Sequence, residues 1–388
     1  MVKLRNACLL LVLSLYCCRK PYDPPAVSTL NSFLVVEGTI NSGNDSTIIK
    51  LSKTVKLNDK VTTNPVLGAT VVVENDQNNN WPLSDMNGKG SYSSPSLGLS
   101  SVQKYRLKIT TSDGKQYASD FMAVKPTPPI DSVGYVLQDG AVQLYVNAHD
   151  PANSTHYYRW DYDETWMFHS RWPSAYVLDT VTNKIVARTP DQNVYFCYGN
   201  DKSSNIIINS TAKLTNDVVY QSPLTKIPLT SEKVESKYSI LVRQYALTPE
   251  AYQFYQNLAK NTEQLGSIFD AQPSQLKGNI HSMTDPTEAV IGYLTVTNVQ
   301  TKRIFIPTSD LTSEILTVYP YDCEQDTAAY FDSKGLNSVQ GELVARPITH
   351  IPTSGLGSNL PPSAFLYSSS ICVDCTLRGT KQKPPFWK

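Results

Sequence analysis

The densest chemistry in the chain lies in one run, Tyr157-Tyr158-Arg159-Trp160-Asp161-Tyr162-Asp163-Glu164-Thr165-Trp166. On a strand, Arg159, Asp161 and Asp163 share one face, and Tyr158, Trp160, Tyr162 and Glu164 share the other. Three readings compete for this pattern. Asp161, Asp163 or Glu164 would serve a hydrolase if their surroundings pushed two carboxyl pKa values apart, one group acting as acid and one as base. Trp160, Trp166 and Trp172, with Tyr162, would offer stacking faces to a ligand. The plainest reading is a sandwich strand with aromatic core residues and a surface Arg159–Asp161 or Arg159–Asp163 pair. That reading outweighs the others, so no residue is assigned a catalytic role. Trp160, Trp166 and Trp172 stand as ligand or partner candidates.

Other reactive side chains are sparse. Of seven cysteines, four fall in the body: Cys197, Cys323, Cys372 and Cys375. An even count in an oxidising compartment points to two disulfides, and three pairings remain open. Cys372-x-x-Cys375 also has the spacing of a redox pair or half a zinc site, and buried free thiols are a further alternative. No thioredoxin-type flank or βαβ pattern accompanies it. His149, His156, His169, His281 and His350 make no HExxH or tight ligand spacing, so neither metal nor cofactor is expected. No GxSxG elbow, P-loop or strand-borne GxGxxG occurs. Asp85 to Gly90 lacks the later acidic ligand of a calcium loop and reads as a Gly-rich turn.

The N-terminus speaks to compartment. Lys3 and Arg5 precede an apolar run, Leu9 to Tyr16, far short of the roughly 20 residues a spanning helix needs. Residues 1–17 therefore read as an export signal. Cys18, with Leu15 three places before it and Cys17 just before it, fits a lipidated N-terminus; Cys17 and an unlipidated secretory signal are the alternatives. Removing Lys3 and Arg5 leaves 32 basic against 34 acidic residues, so no basic surplus argues for nucleic acid.

Strands must carry most of the rest. After a Pro-rich tether, 18–32, a first domain over 33–125 shows short alternating runs without helical period, as in an Ig-like or transthyretin-like β-sandwich. Ser112-Asp113-Gly114-Lys115 marks a hairpin between 105–111 and 116–119. Lys125 to Ile130 (KPTPPI) is a Pro-rich break. A larger β-rich domain follows over 131–388, with strands expected at 132–137, 141–148, 157–166, 174–188, 192–198, 237–246, 289–297 and 302–307. One helix is predicted at about 249–264: Thr248 caps it, Pro249 opens it, and Ala251, Phe254, Tyr255, Leu258 and Ala259 form its apolar stripe. The tail holds Cys372, Cys375, Pro384-Pro385 and Phe386-Trp387. It reads as stapled and docked, with Phe386 and Trp387 as partner anchors in the alternative.

Several pieces together resemble the "domain of unknown function 4249" family of Bacteroidota outer-membrane lipoproteins. They are the Cys18-Arg19-Lys20-Pro21-Tyr22-Asp23-Pro24 start, Leu34 to Gly38, Tyr158-Arg159-Trp160 with Glu164-Thr165-Trp166, Gly278-Asn279-Ile280, Gly292-Tyr293, and the ending Cys372-x-Asp374-Cys375 with Gly379 and Pro385-Phe386-Trp387. The resemblance implies an outer-membrane lipoprotein, often encoded beside a TonB-dependent transporter. It implies no catalytic residue. The expected function is thus a lipid-anchored accessory or binding protein, partner of such a transporter in peptide or glycan uptake. An envelope assembly factor and a carboxylate hydrolase are the alternatives. Arg19 and Lys20 leave the surface and periplasmic faces both open.

Overall fold

The structure, a computed structural model, describes residues 32–55, 64–263, 277–311, 315–331, 335–358 and 361–387. The signal, Cys18 and nearly all of the tether lie outside the described residues. The chain is mostly β.

Eleven strands open the chain: β1 (Leu34–Asn41), β2 (Thr47–Lys53), β3 (Thr70–Asn75), β4 (Asn80–Asp85), β5 (Ser91–Ser94), β6 (Lys104–Thr110), β7 (Gln116–Ser119), β8 (Met122–Lys125), β9 (Ile130–Gln138), β10 (Ala141–His149) and β11 (Tyr157–His169). β2 and β6 carry the expected alternation most clearly. In β6, Tyr105, Leu107 and Ile109 point inward while Lys104, Lys108 and Thr110 face solvent.

Their pairing closes on itself. It runs β6–β3–β4–β5–β2–β1, passes through the later strand Val296–Thr297 to β8, and returns from β8 to β6. An Ig-like or transthyretin-like sandwich would keep two sheets with free edges; joining them removes the unpaired N–H and C=O rows an edge exposes. The coarser expectation, a β-rich N-terminal domain, is met, and its strands form a barrel-like ring. Residues 280–297, assigned to the second domain by sequence order, supply pairing here: Ile280–Ser282 pairs with β7, Val290–Ile291 with β1, and Val296–Thr297 with both β1 and β8. β4 carries Pro82 in its interior.

Beyond the ring, two sheets share one core. β10 lies between β9 and Val218–Pro228. Its Val142, Leu144, Val146 and Ala148 are fully buried, as the period-2 pattern requires. Val218–Pro228 is an edge strand, which is where its Pro223 is tolerated. Opposite lies a sheet in which β11 is central, between Phe196–Lys202 and Lys237–Ala246, with Gln300–Pro307 beyond. Tyr158, Trp160, Phe168, Tyr238, Ile240 and Val242 from this sheet meet the β10 side chains in the core.

A smaller sheet, Asp326–Ala329, Ala364–Ser369 and His350–Leu356, encloses a separate core around Phe365, Ala328 and Leu343, joined by the hairpin of Tyr176–Asp179 and Lys184–Ala187. Helix α1 (Pro249–Glu263) begins where expected. Thr248 caps it, its Oγ1 accepting from the Ala251 N–H at 3.2 Å. Among the described residues no helix is long and apolar enough to cross a membrane.

Candidate functional site

The β11 run alternates as its sequence demands. Tyr158, Trp160, Tyr162 and Glu164 point inward, and Arg159, Asp161 and Asp163 outward. The outward carboxylates meet a cation the sequence pattern did not indicate. Asp161 lies directly across from Arg243 in the ladder. Arg243 donates through Nη1 and Nη2 to both Asp163 oxygens at 2.8 Å, and through Nε to Asp161. Arg159 stands 3.8 Å from Asp161. The fork of hydrogen bonds from Arg243 holds the Asp163 carboxyl below its ordinary range against a partial burial that would raise it. The same bonds hold the Arg243 guanidinium above its own.

Glu164 faces the other way and is buried. It accepts from the Tyr238 hydroxyl at 2.6 Å and from Lys233 Nζ at 2.6 Å. Burial alone would lower the Lys233 ammonium; its contacts with Glu164 and Asp201 outweigh that and hold it above its ordinary value. All three carboxylates singled out in the sequence are therefore tied to a cation.

The tryptophans are placed as follows. Trp160 is 1% exposed, stacks on Tyr158 with ring centroids 5.6 Å apart, and donates Nε1 to Gln244 Oε1 at 2.8 Å. Trp166 is buried, with Lys233 Nζ 4.9 Å over its ring. Gly199 lies against that ring, where a Cβ would fall 2.4 Å from it. Trp172 is half-buried and donates Nε1 to the Cys323 carbonyl at 2.6 Å. Trp160 and Trp166 thus offer no stacking face: the inward side of a central strand is core, and aromatic bulk there is packing.

The cysteines resolve into Cys197–Cys375 and Cys323–Cys372. The CxxC spacing is neither a redox pair nor half a metal site, since each of its sulfurs bonds a distant cysteine. Cys197–Cys375 draws the tail onto the β11 sheet, and Cys323–Cys372 ties it to the segment before Asp326–Ala329. Tyr198 and Thr380 exchange backbone hydrogen bonds at 2.8 and 3.0 Å. Trp387, 6% exposed, packs edge-on to Tyr198 at 5.3 Å and Phe305 at 5.7 Å. The Arg303 guanidinium lies 3.6 Å from the Phe386 ring centroid. Trp387 is docked on its own chain, whereas Phe386 stays 37% exposed beside Arg303.

A groove that the residue patterns did not single out lies where α1 meets the segment after Gly292. It measures about 470 Å³ and is lined by Pro249, Glu250, Gln253, Phe254, Asn257, Lys277 and Tyr293, a size within the range of ligand pockets. Phe254 is 5% exposed and packs on Tyr293 with ring centroids 5.6 Å apart. The helix is fixed on its other side by Tyr252 against Tyr157 at 5.0 Å and by Arg159, whose guanidinium lies over Tyr255 at 5.1 Å and Tyr245 at 4.1 Å. Tyr293 is lodged by its neighbour Gly292. At φ +148° a Cβ on Gly292 would stand 2.2 Å from the Val36 carbonyl, and one on Gly278 would stand 1.8 Å from the Gly292 carbonyl. Asn279 bridges this joint, accepting from the Leu294 N–H at 2.8 Å and donating to the Leu294 carbonyl at 2.9 Å.

This joint gives physical meaning to Gly278-Asn279-Ile280 and Gly292-Tyr293, and a family comparison bears on the same segments. The model of a domain of unknown function, DUF4249, matches residues 19–303. The chain belongs to that family. The match spans the ring, β11, α1 and the joint, and stops before the Cys323–Cys372 bond. No curated protein matches the chain. A solved structure from Bacteroides uniformis, described only provisionally as a carbohydrate binding protein, is similar at 9% identity, covering 56% of this chain and 91% of its own, with a TM-score of 0.16. A likeness that shallow carries neither fold nor function across.

Phe254 belongs to the apolar stripe of α1, and Glu250 is an acid in its first turn, suited to the helix dipole. Both roles are real, and neither indicated a groove. The nearest signal was the polar pair Gln253 and Asn257, four residues apart beside Phe254, next to an aromatic that follows a glycine.

Proposed function

We propose that this family member is an exported protein, lipid-anchored at Cys18 in the outer membrane, that works as a binding or accessory subunit beside a TonB-dependent transporter in nutrient uptake. The observation that carries the reading is the pair of disulfides, both reaching the tail. Such bonds form and persist outside the reducing cytosol, which agrees with the signal-like residues 1–17. In this reading the N-terminal ring, a closed counterpart of an Ig-like or transthyretin-like sandwich, stands next to the tether and the membrane.

Carboxylate hydrolysis is less favoured. Asp161 and Asp163 share one guanidinium, and Glu164 is held by Lys233 and Tyr238, so no pair is left with one acid and one free base. The test is a tagged, full-length protein purified from outer membranes in mild detergent. A TonB-dependent transporter recovered in near-equal amount is expected, and Cys18→Ala should release the protein from the membrane fraction. Recovery of the lipoprotein alone would overturn the partnership.

A further inference from the structure

We infer that the groove between α1 and Tyr293 takes a short peptide with free termini. The inference rests on the reading of the protein as a binding subunit. The groove presents four kinds of group together. Phe254 and Tyr293 supply an apolar wall. Glu250 and Lys277 are both exposed, and among the described residues neither side chain makes a hydrogen bond or salt bridge. Burial raises the Tyr293 hydroxyl pKa, and Glu250 lies near enough to raise it further. Gln253 donates Nε2 to Asn257 Oδ1 at 3.0 Å and also approaches Gln256 Oε1 at 3.4 Å. That leaves the Gln253 carbonyl as an acceptor and the Asn257 amide as a donor.

This set complements a peptide better than a sugar. One acceptor and one donor match the N–H and C=O of a single peptide unit. An ammonium terminus matches Glu250, a carboxylate terminus matches Lys277, and an apolar side chain finds Phe254 and Tyr293. A neutral oligosaccharide would use the rings and the amides and leave both charges idle. The two units of the protein hold this arrangement in place: α1 is clamped to β11 by Tyr157 and Arg159, and Tyr293 is clamped to the ring by Gly292.

The test is calorimetric titration of the full mature chain with three probes: a tripeptide pool with free termini, the same pool acetylated and amidated, and maltotriose. The free pool should bind saturably, and the blocked pool about tenfold more weakly. Glu250→Gln and Lys277→Gln should each weaken the free pool about fivefold, the scale of one partly exposed charge pair, while leaving the blocked pool unchanged. Equal binding of free and blocked pools, unchanged affinity in both variants, tighter binding of maltotriose, or no saturable binding at millimolar peptide would each overturn the inference. Transporter recovery by the same two variants separates the readings: it should persist whether or not peptide binds, so its loss in the unaltered protein strikes the accessory role and not the groove.

Discussion

The two larger β units are closed by different means. The N-terminal ring is closed mainly by short backbone pairings, with Thr297 Oγ1 donating to the Lys125 carbonyl at 2.6 Å and Asn279 bridging to Leu294. Its joints at β1, β8 and Val296–Thr297 are only two residue pairs long, and they hold because Gly278 and Gly292 let three backbone segments touch. The β11 sheet is closed by covalent and aromatic means: Cys197–Cys375 fastens the tail, and Trp387 caps Tyr198 and Phe305. The first device depends on the absence of side chains, the second on their presence. Between them runs a buried polar joint. Thr127 donates its N–H to Asn298 and meets Thr297 Oγ1 at 2.6 Å, while Gln244 links Trp160 Nε1 to the Pro128 carbonyl at 2.8 Å on each side. The Pro-rich segment read as a break is therefore hydrogen-bonded to both units.

The contrast can be broken first at the covalent end. Replacing Cys197 and Cys375 with Ser frees a span of 178 residues, and loop entropy of that order is worth about 5 kcal/mol. Chemical denaturation should show the β11 unit unfolding early, followed by exposure of Trp387 fluorescence, with the ring transition little moved. A single shifted transition for the whole chain would show that the units do not close independently. At the backbone end, Gly292→Ala forces a Cβ against the Val36 carbonyl at a φ that L residues avoid. It should cost about 3 kcal/mol and fall on the ring, read as lost amide protection in β1 and β8. Protection lost instead around Cys197 would reverse the assignment. At the joint, Gln244→Met leaves the Trp160 N–H and the Pro128 carbonyl unpaired in the core, at a cost of about 2 kcal/mol. It should widen the separation between unfolding of the ring and unfolding of the β11 unit.

How far the sequence could be read follows from the same contrast. Side-chain devices announce themselves. Four body cysteines implied two bonds, the Phe-Trp ending implied docking, and the β10 and β11 alternation implied their buried faces. Thr248-Pro249-Glu250 marked the start of α1 to the residue. Devices made of backbone do not announce themselves. Gly278 and Gly292 look like any turn glycine, so the return of 280–297 to the ring was invisible, and with it the groove that this return builds. Arg243 was also silent, because its partners are set by register: a one-residue slip of Lys237–Ala246 would have turned it inward. The pairing of the cysteines needed three dimensions, since spacing favours none of the three choices.

The smallest effect tests whether Arg243 holds the outward carboxylates of β11 in solution. Asp163 is ionised and held by Arg243 in the folded state, and its folded pKa lies below the unfolded value of about 3.9. A depressed carboxyl contributes stability that is fully present above the unfolded pKa and is lost as pH falls through the folded one. Asp163→Asn removes that linkage. At pH 7 the variant should be less stable by under about 1 kcal/mol, because the pair is partly exposed. Between pH 5 and 3 the parent should lose stability more steeply than the variant, so that the two curves converge. Parallel curves would mean that Arg243 does not hold Asp163 in solution, and that the carboxylates of β11 are freer to act than their hydrogen bonds indicate.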